Sequence, residues 1–473
     1  MKILFATSES YPFATSGGLG DVSAALPRAL RQKKQDVRVI MPLYGKIGQE
    51  YRAKMKFLCH FDVPVAWRSQ YCGVFELVNN SVTYYFIDNE YYFKRDGLYG
   101  HYDDGERFAF FSRAVLEAID HIDFKPDIIH ANDWQTALVS SYLNAFYRTR
   151  ETYKNIKTLY TIHNIQYQGK YDILILGDVF GFDPKQGAII EYGGIVNLMK
   201  GAIESSDRVN TVSPSYAQEI LDPWFSHGLD PLLRQRQSKL SGILNGIDTK
   251  IYDPAKDPYI AANFSASDKS GKAQCKKELL EKFGLEDNGA PVIGIVSRLV
   301  SHKGIDLVRH VLEYIILNGI QVVVLGSGDY MYETFFSDFA NRYQHACGVK
   351  IGFIPELARK IYAGCDMLLM PSKSEPCGLA QMSSLRYGTV PIVRETGGLK
   401  DSITDSGDGL GNGFTFKSYN AHDMLDACLR AKATYENKED WDMLVDRALS
   451  CDFGWSSAAK KYIELYKEIL ELW

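Results

Sequence analysis

Short apolar runs alternate along this chain with longer segments in which apolar residues recur every three to four positions. The first run, Ile3–Ala6, is typical of a buried strand. A glycine-rich segment follows, then Val22, Leu26 and Leu30 at helical spacing, then a strand-like run at residues 36–44. This order predicts a strand–helix–strand unit at the start of the chain.

The same alternation continues to the C-terminal region. Further strand-like runs lie at residues 124–133, 157–164, 291–297, 320–326, 348–353, 366–372 and 389–395. Helix-like segments lie between or beside them at residues 137–147, 305–319 and 355–365. Strands that alternate with helices form parallel sheets covered by helices on both faces. The pattern therefore predicts an α/β protein built from doubly wound domains.

Length sets the number of domains. The chain has 473 residues, whereas a single hydrophobic core stops growing at roughly 250–300 residues. A polar stretch at residues 265–274 precedes a new helix, which indicates that a second domain begins in this region. We place the junction between the two domains near residue 245. The expected domains are residues 1–245 and 246–455. Residues 456–473 form an amphipathic helix that either packs back on the first domain or simply caps the chain.

Composition and charge limit the classes of binding partner that the sequence favours. Hydrophobic residues make up 46% of the chain, charged residues 23%, and the net charge is −5. These values are typical of a globular protein and give no global attraction to nucleic acid or to an anionic membrane surface. We therefore expect no nucleic-acid partner and no membrane partner.

Cysteine usage and the N-terminus indicate the compartment. Eight cysteines are scattered without a CxxC pair or a histidine and cysteine cluster at zinc spacing, which favours reduced thiols. The first apolar run is too short for a secretory signal, and no run reaches the ~18 apolar residues of a spanning helix. The expectation is a soluble, cytoplasmic protein.

Two glycine turns follow strands in different halves of the chain. Residues 17–21 read GGLGD, and residues 397–401 read GGLKD. Glycine allows close backbone approach, and the amides at a helix start favour anions. The spacing lacks the third glycine of a dinucleotide fingerprint. From the pattern alone, phosphate contact, sugar contact and a plain packing turn all remain open.

Charged side chains follow two strands of the second half. Arg298 and Lys303 lie five residues apart on one loop, where they would neutralise a leaving diphosphate or form only a solvated basic loop. Glu375 precedes Pro376 at an expected helix start, where it would accept hydrogen bonds from hydroxyls or merely complement the helix dipole.

No metal site is predicted. In the single D-x-D sequence, residues 440–442, the two aspartates lie in a helical pattern, where positions i and i+2 do not face each other. His130, His163 and Asp133 also follow strands. A buried structural role for the histidines, and a helix N-cap role for Asp133, remain alternatives to a role in a site.

Taken together, these motifs resemble the family of bacterial glycogen synthases and plant starch synthases. The resemblance covers essentially the whole chain, through the sequences GGLGDV, HANDW, TIHNIQYQG, GILNGID, SRLVSHKG, SEPCGLAQ and ETGGLKD. It implies a retaining glucosyltransferase that extends an α-1,4-glucan from a nucleotide-glucose. It also implies two Rossmann-like domains facing each other across a cleft that holds the active site, the GT-B type.

The resemblance also implies roles for individual residues. Arg298 and Lys303 correspond to residues that bind the donor diphosphate, Glu375 to an acid that holds glucose hydroxyls, and Asp21 to the place where donor glucose and acceptor meet. Asp133 and His163 complete the implied catalytic set, as parts of the sugar pocket. The implied donor-binding residues are Gly18, Asn164, Asn245, Phe353, Cys377, Gly378, Leu379, Thr396, Gly397 and Gly398. Phe353 would stack on the nucleobase.

The implied partners are ADP-glucose or UDP-glucose and an α-1,4-glucan such as glycogen or a maltooligosaccharide, with no metal or other cofactor. ADP-glucose is the preferred donor. Two positions depart from the family: Thr15 occupies the place of a lysine that reaches the donor, and His302 that of a glutamine. Loss of one charge-assisted contact costs about 1.5–3 kcal/mol. UDP-glucose as donor and a catalytically weak glucan-binding relative therefore remain alternatives.

Overall fold

The computed structural model describes residues 1–472 and divides the chain into two α/β units. The first comprises Met1–Gly246 and the C-terminal helix, and the second comprises Ile247–Gly454. Ile247 and Gly454 form an isolated parallel bridge, so the chain enters and leaves the second unit at adjacent positions.

The first unit is built on a nine-stranded mixed sheet. The strands of this unit are β1 Lys2–Ala6, β2 Asp36–Pro42, β3 Lys56–Val65, β4 Arg68–Asn79, β5 Val82–Asp88, β6 Ile128–Asn132, β7 Lys157–Ile162, β8 Lys170–Tyr171, β9 Glu191–Tyr192, β10 Ile195–Asn197, β11 Arg208–Thr211 and β12 Leu240–Gly242. Its helices are α1 Gly18–Gln32, α2 Gln49–Arg52, α3 Glu90–Phe93, α4 Asp104–His121, α5 Leu138–Tyr142, α6 Leu198–Ser205, α7 Pro214–Glu219 and α8 Asp230–Gln235. β8, β9 and β10 form a separate small antiparallel sheet.

Strand order in the large sheet is β12-β11-β7-β6-β1-β2-β5-β4-β3. β1 pairs in parallel with β2 on one side and with β6 on the other. The strand order therefore reverses beside β1. In open α/β sheets such a reversal opens a crevice at the carboxyl ends of the strands, where ligands bind.

One edge of this sheet departs from the expected parallel arrangement. β3 and β4 pair antiparallel, as do β4 and β5. The turn between β4 and β5 is made by Asn80 and Ser81, with φ of 50° and 67°. Positive φ at two central residues gives the turn twist that suits a two-residue hairpin. The alternation of strands and helices in the sequence does not predict this antiparallel edge.

The second unit has a fully parallel six-stranded sheet. Its strands are β13 Val292–Val296, β14 Gln321–Gly326, β15 Cys347–Ile351, β16 Met367–Met370, β17 Val390–Arg394 and β18 Phe414–Phe416. Its helices are α9 Ser270–Phe283, α10 Ile305–Leu317, α11 Tyr330–Arg342, α12 Pro355–Gly364, α13 Ala380–Arg386, α14 Gly397–Ser402, α15 Ala421–Glu436 and α16 Lys438–Ser450. The central strands are almost entirely apolar because helices cover both of their faces.

The strand order of this sheet is β15-β14-β13-β16-β17-β18. Numbered within the unit, that is 3-2-1-4-5-6, the doubly wound order whose switch point lies between the first and fourth strands. A ligand site is therefore expected at the carboxyl ends of β13 and β16. The loops after those strands carry Arg298, Lys303 and Glu375.

The last helix, α17 Trp455–Glu471, belongs to the first unit. Its apolar stripe is buried, including Tyr462, Leu465 and Ile469. Tyr466 reaches the sheet, where its hydroxyl lies 2.8 Å from Nδ1 of His130. Within residues 1–472, no helix is both long and apolar enough to cross a membrane. All eight cysteines are free.

Candidate active site

The switch point of the second unit holds a cavity of about 190 Å³. Its floor is apolar and comes from the ends of β13 and β16, while its polar groups come from the loops that follow those strands. The polar and loop residues that line it are Ser297, Arg298, Lys303, Ser372, Glu375, Gly378 and Leu379. Two cations, a carboxylate and two hydroxyls thus converge on one concave surface.

Lys303 and Glu375 form an ion pair at the edge of this cavity. Lys303 Nζ donates to Glu375 Oε2 at 2.6 Å, and Ser372 Oγ donates to the same oxygen at 2.9 Å. The two charged side chains are 18% and 9% exposed. Within residues 1–472, Glu375 Oε1 accepts no hydrogen bond, so it is the oxygen available to a ligand.

Two glycines bring the loops of this site into contact. Gly304 has a φ of +74°, and a Cβ on it would lie 2.1 Å from the carbonyl oxygen of Pro371. Gly397 has a φ of +45°, and a Cβ there would lie 2.1 Å from the carbonyl oxygen of Glu375. A side chain on Gly304 would push apart the loops that hold Lys303 and Glu375, and one on Gly397 would push the Glu375 loop away from the start of α14.

The expected helix start at Pro376 is wrong. The helix α13 begins at Ala380, and Pro376 to Leu379 form an irregular loop. Gly378 has a φ of +71°, a left-handed conformation that glycine adopts readily, and the helix begins only two residues later. Gly378 and Leu379 line the cavity, whereas Cys377 is buried and is not among the lining residues.

The second glycine turn supports the Glu375 loop from behind. Thr396 is the N-cap of α14, and Gly397 and Gly398 begin that helix. The Gly398 amide donates to the carbonyl oxygens of Glu375 at 3.1 Å and Pro376 at 3.2 Å. All three turn residues are buried, and none is among the residues that line the cavity.

Phe353 lies apart from this cavity in the second unit. It follows β15, two strands from β13, and its side chain is 89% exposed. The ring is therefore accessible for stacking, but it does not line the cavity around Arg298.

In the first unit, Asp133 organises the turn after β7. Asp133 Oδ1 accepts from the His163 amide at 2.7 Å and from the Asn164 amide at 3.4 Å. Burial raises the pKa of the Asp133 carboxyl to about 7, although these two hydrogen bonds oppose the rise. The structure thus brings three predicted residues together at the carboxyl ends of β6 and β7.

The His163 ring is neutral and oriented. Its Nε2 lies 2.9 Å from Asn132 Oδ1. Because an amide oxygen only accepts, Nε2 carries the hydrogen. Burial lowers the pKa of His163 to about 3. Asn132, which was not predicted, therefore fixes the tautomer of a predicted residue.

The first glycine turn is anchored by Glu9, another residue that the sequence analysis missed. The Glu9 carboxylate accepts from the Ser16 amide at 2.5 Å, the Ser16 hydroxyl at 2.7 Å, the Gly17 amide at 3.3 Å and the Tyr99 hydroxyl at 2.7 Å. Gly18 begins α1, and Asp21 is exposed on its first turn. The available signal was a carboxylate eight residues before the glycines in the sequence.

Asn245 and His130 have contrasting environments in the first unit. Asn245 follows β12 and is 5% exposed, and its side-chain oxygen has no hydrogen-bond partner within residues 1–472. His130 is fully buried between Tyr466 Oη at 2.8 Å and Thr161 Oγ1 at 2.7 Å. The Asn245 side-chain oxygen is therefore a buried acceptor without a protein partner, whereas His130 is a hydrogen-bonded core residue.

Two family models match this chain. The starch synthase catalytic domain matches residues 2–235, and the group 1 glycosyl transferases match residues 276–443. A glycogen synthase of Anoxybacillus flavithermus is 49% identical over 99% of this chain and 98% of its own length. A glycogen synthase of Alkaliphilus metalliredigens is 48% identical over 99% of this chain and 100% of its own. The chain belongs to the glycogen synthase and starch synthase family.

Solved structures agree with that assignment. The catalytic domain of starch synthase IV from Arabidopsis thaliana, bound to ADP and acarbose, is 34% identical. It superposes with a TM-score of 0.92 over 100% of this chain and 99% of its own. A sucrose-phosphate synthase from Thermosynechococcus elongatus, at 15% identity and a TM-score of 0.62, shares the fold.

The predicted family and the predicted fold class, two Rossmann-like domains of the GT-B type, are therefore confirmed. So is the enzyme class, because both family models describe glycosyltransferases. Within residues 1–472, no group of three or more histidine, cysteine, aspartate or glutamate side chains is arranged to hold a metal ion.

Proposed function

We propose that this enzyme transfers glucose from ADP-glucose to the 4-hydroxyl at the non-reducing end of an α-1,4-glucan, with retention of configuration. The observation that carries the proposal is the cavity at the β13/β16 switch point, where Arg298, Lys303 and Glu375 converge. The ADP bound to the similar starch synthase IV supports adenosine as the nucleoside.

In this proposal, the two cations stabilise the leaving group. Departure of ADP builds negative charge on the diphosphate, and preorganised cations in a partly desolvated cavity stabilise that charge. Arg298 and Lys303 fill this role, with Gly18 as a further donor contact. No metal or other cofactor is part of the proposal, because the two side chains supply the positive charge.

Polar side chains bind the glucose hydroxyls. Glu375 accepts from a glucose hydroxyl through Oε1, since Oε2 already binds Lys303 and Ser372. The family resemblance assigns Asn245, and the turn that Asp133 holds with His163 and Asn164, to the sugar pocket as well. Asp21 lies at the acceptor side.

A covalent glycosyl intermediate is not part of the proposed mechanism. No motif identifies a carboxylate nucleophile, and Glu375 is engaged by its ion pair. The acceptor 4-hydroxyl attacks on the face from which ADP leaves, and the departing phosphate takes its proton. Trapping a glucosyl adduct on any carboxylate would contradict this mechanism.

The direct test is glucan elongation by the purified enzyme. ADP-glucose and UDP-glucose are each supplied with a maltooligosaccharide, with and without EDTA, and both chain length and released nucleotide are measured. We expect elongation with ADP-glucose to exceed that with UDP-glucose and to be unaffected by EDTA. Nucleotide release without elongation would contradict the glucan acceptor.

Substitutions test the assigned site. Glu375→Gln and Lys303→Ala each break the 2.6 Å pair and should lower kcat at least about a hundredfold, the order expected for loss of a preorganised charged contact. Lys417→Ala, which removes an exposed lysine outside the site, is the matched control and should retain the wild-type rate. An unchanged rate in both site variants would refute the assignment.

A second candidate function, a catalytically weak glucan-binding protein, is favoured by one observation. Thr15 stands in the first glycine turn where a lysine is expected. Thr15→Lys should lower the donor KM about tenfold or more if a charge-assisted contact is restored, with Thr15→Met as the uncharged control. Equal donor KM values would place position 15 outside the donor site.

We also propose a cytoplasmic location, which the eight free cysteines support. Buried cysteines such as Cys365 and Cys428 are single thiols, as expected for a chain kept in a reducing compartment.

A further inference from the structure

His302 lies beside the guanidinium of Arg298, at the edge of the switch-point cavity. It is the central residue of the one-turn 3-10 helix Ser301–Lys303. Its Nε2 lies 3.4 Å from Arg298 Nη2. Arginine donates only, so Nε2 must be the acceptor in this contact, and the imidazole is then neutral with its hydrogen on Nδ1.

The surroundings of His302 favour that neutral form. Burial lowers the pKa of His302, and the nearby charges of Lys303 and Arg298 lower it further, against smaller opposing effects from Glu375 and Asp329. The backbone is held as well, because the His302 carbonyl oxygen accepts from the Lys373 amide at 2.9 Å. The imidazole is therefore a hydrogen-bond acceptor on a backbone segment that is tied to the loop that carries Glu375.

In contrast, the Arg298 side chain has few contacts that orient it. Its side chain is exposed and forms no ion pair within residues 1–472. Its contact with His302 is the one hydrogen bond to its guanidinium in that part of the chain. A free arginine side chain samples many rotamers and loses conformational entropy when it is fixed. A partner that restricts it beforehand lowers the cost of ligand binding.

We propose that His302 is a positioning residue that aims the Arg298 guanidinium into the cavity for the donor diphosphate. The inference rests on the proposed function, since it assumes that this cavity binds the donor. The positioning role requires only a hydrogen-bond acceptor at the place of His302 Nε2. A glutamine side chain, whose amide oxygen accepts a hydrogen bond, would replace His302, whereas alanine would not.

The test is a double-mutant cycle on ADP binding, measured by titration calorimetry or, for weak complexes, by ligand-observed NMR up to millimolar ADP. His302→Ala should weaken binding about three- to tenfold, the order expected for one modest hydrogen bond to a charged group. His302→Gln should bind within about twofold of wild type. In an Arg298→Ala background, His302→Ala should have no further effect.

Steady-state kinetics separate positioning from a structural role. His302→Ala should raise the KM for the donor and leave the KM for the maltooligosaccharide unchanged, with an unchanged melting temperature. Any of three results would overturn the inference: wild-type affinity in His302→Ala, affinity in His302→Gln as weak as in His302→Ala, or an equal loss with and without Arg298. If the wild-type enzyme neither binds ADP nor elongates glucan, the proposed function fails instead.

Discussion

At the scale of single residues, Asp133 combines backbone strain with a buried charge. Its φ of 57° and ψ of −178° lie in a region that is populated almost entirely by glycine. Such a conformation costs about 1–3 kcal/mol and persists where the surroundings impose it. Here the surroundings are the His163 and Asn164 amides, which both donate to the same carboxylate oxygen.

Titration of Asp133 makes stability depend on pH. Its folded pKa of about 7 lies above the ordinary aspartate value of 3.8, so the folded state binds more protons than the unfolded state between these values. The contribution of this group to stability is therefore lost as pH rises from about 4 to 7. Asp133→Asn keeps an acceptor oxygen but removes the titration.

The measurement is urea unfolding of wild type and Asp133→Asn at pH 5 and pH 8. We expect the stability of the variant relative to wild type to be higher at pH 8 than at pH 5. A difference that is the same at both pH values would show that Asp133 has an ordinary pKa in the folded protein.

At the scale of elements, the sequence pattern predicted the strands whose two faces are buried. Runs such as those of β13, β14 and β16 are continuous in apolar residues and appear where expected. The hairpin of β3 and β4 was not predicted. Its turn, at Ala66 and Trp67, contains no glycine, asparagine or proline to signal a reversal.

The sequence predicts which residues belong to the site, but it does not predict which of them contact one another. Lys303 and Glu375 are 72 residues apart in the sequence, and they meet because β16 pairs with β13 in the sheet. No local pattern encodes that strand order. α13 begins later than the expected start at Pro376, because Gly378 adopts a left-handed backbone conformation that the sequence pattern does not reveal.

Gly304 at the start of α10 offers a test of how these loops are held together. In Gly304→Ala, the new Cβ would lie 2.1 Å from the Pro371 carbonyl oxygen, at a φ of +74°. We expect a loss of stability of more than about 2 kcal/mol, because steric displacement adds to backbone strain. The displaced loop should also separate Lys303 from Glu375 and reduce kcat.

Gly284→Ala is the matched control for that substitution. Gly284 caps α9 with a φ of +70°, and a Cβ there would meet nothing within 4 Å. It therefore carries only the backbone cost, about 1 kcal/mol. Equal melting temperatures and equal activities for the two variants would refute the close approach at Pro371.

At the scale of the whole molecule, the chain order and the folding units do not coincide. The second unit is continuous, Ile247–Gly454, but the first is completed by α17 from the far end of the chain. α17 packs against α1 and β7. Asn210 Nδ2 donates to Tyr462 Oη at 3.1 Å, and Lys157 Nζ donates to the Leu472 carbonyl oxygen at 2.6 Å. The first unit thus acquires this core element only after the whole second unit has been synthesised.

This arrangement predicts different behaviour for the two isolated units. The seven buried side chains of α17 include the large residues Trp455, Tyr462, Leu465, Tyr466 and Ile469. Burial of one such side chain contributes roughly 1.5–3 kcal/mol, so five together contribute roughly 7.5–15 kcal/mol, which is comparable with the ~5–15 kcal/mol that stabilises a typical domain. A fragment of residues 1–246 should therefore lack cooperative unfolding, whereas a fragment of residues 247–454 should unfold cooperatively.

A synthetic peptide of residues 455–473 tests whether α17 completes the core of the first unit. Added to the 1–246 fragment, it should restore a cooperative thermal transition whose midpoint rises with peptide concentration, because a ligand that binds only the folded state stabilises it by mass action. The matched control peptide carries Tyr462→Ala and Tyr466→Ala, which removes the contacts to Asn210 and His130, and it should restore little or nothing. A 1–246 fragment that unfolds cooperatively without any peptide would show that α17 is a surface cap and that the core of the first unit is complete without it.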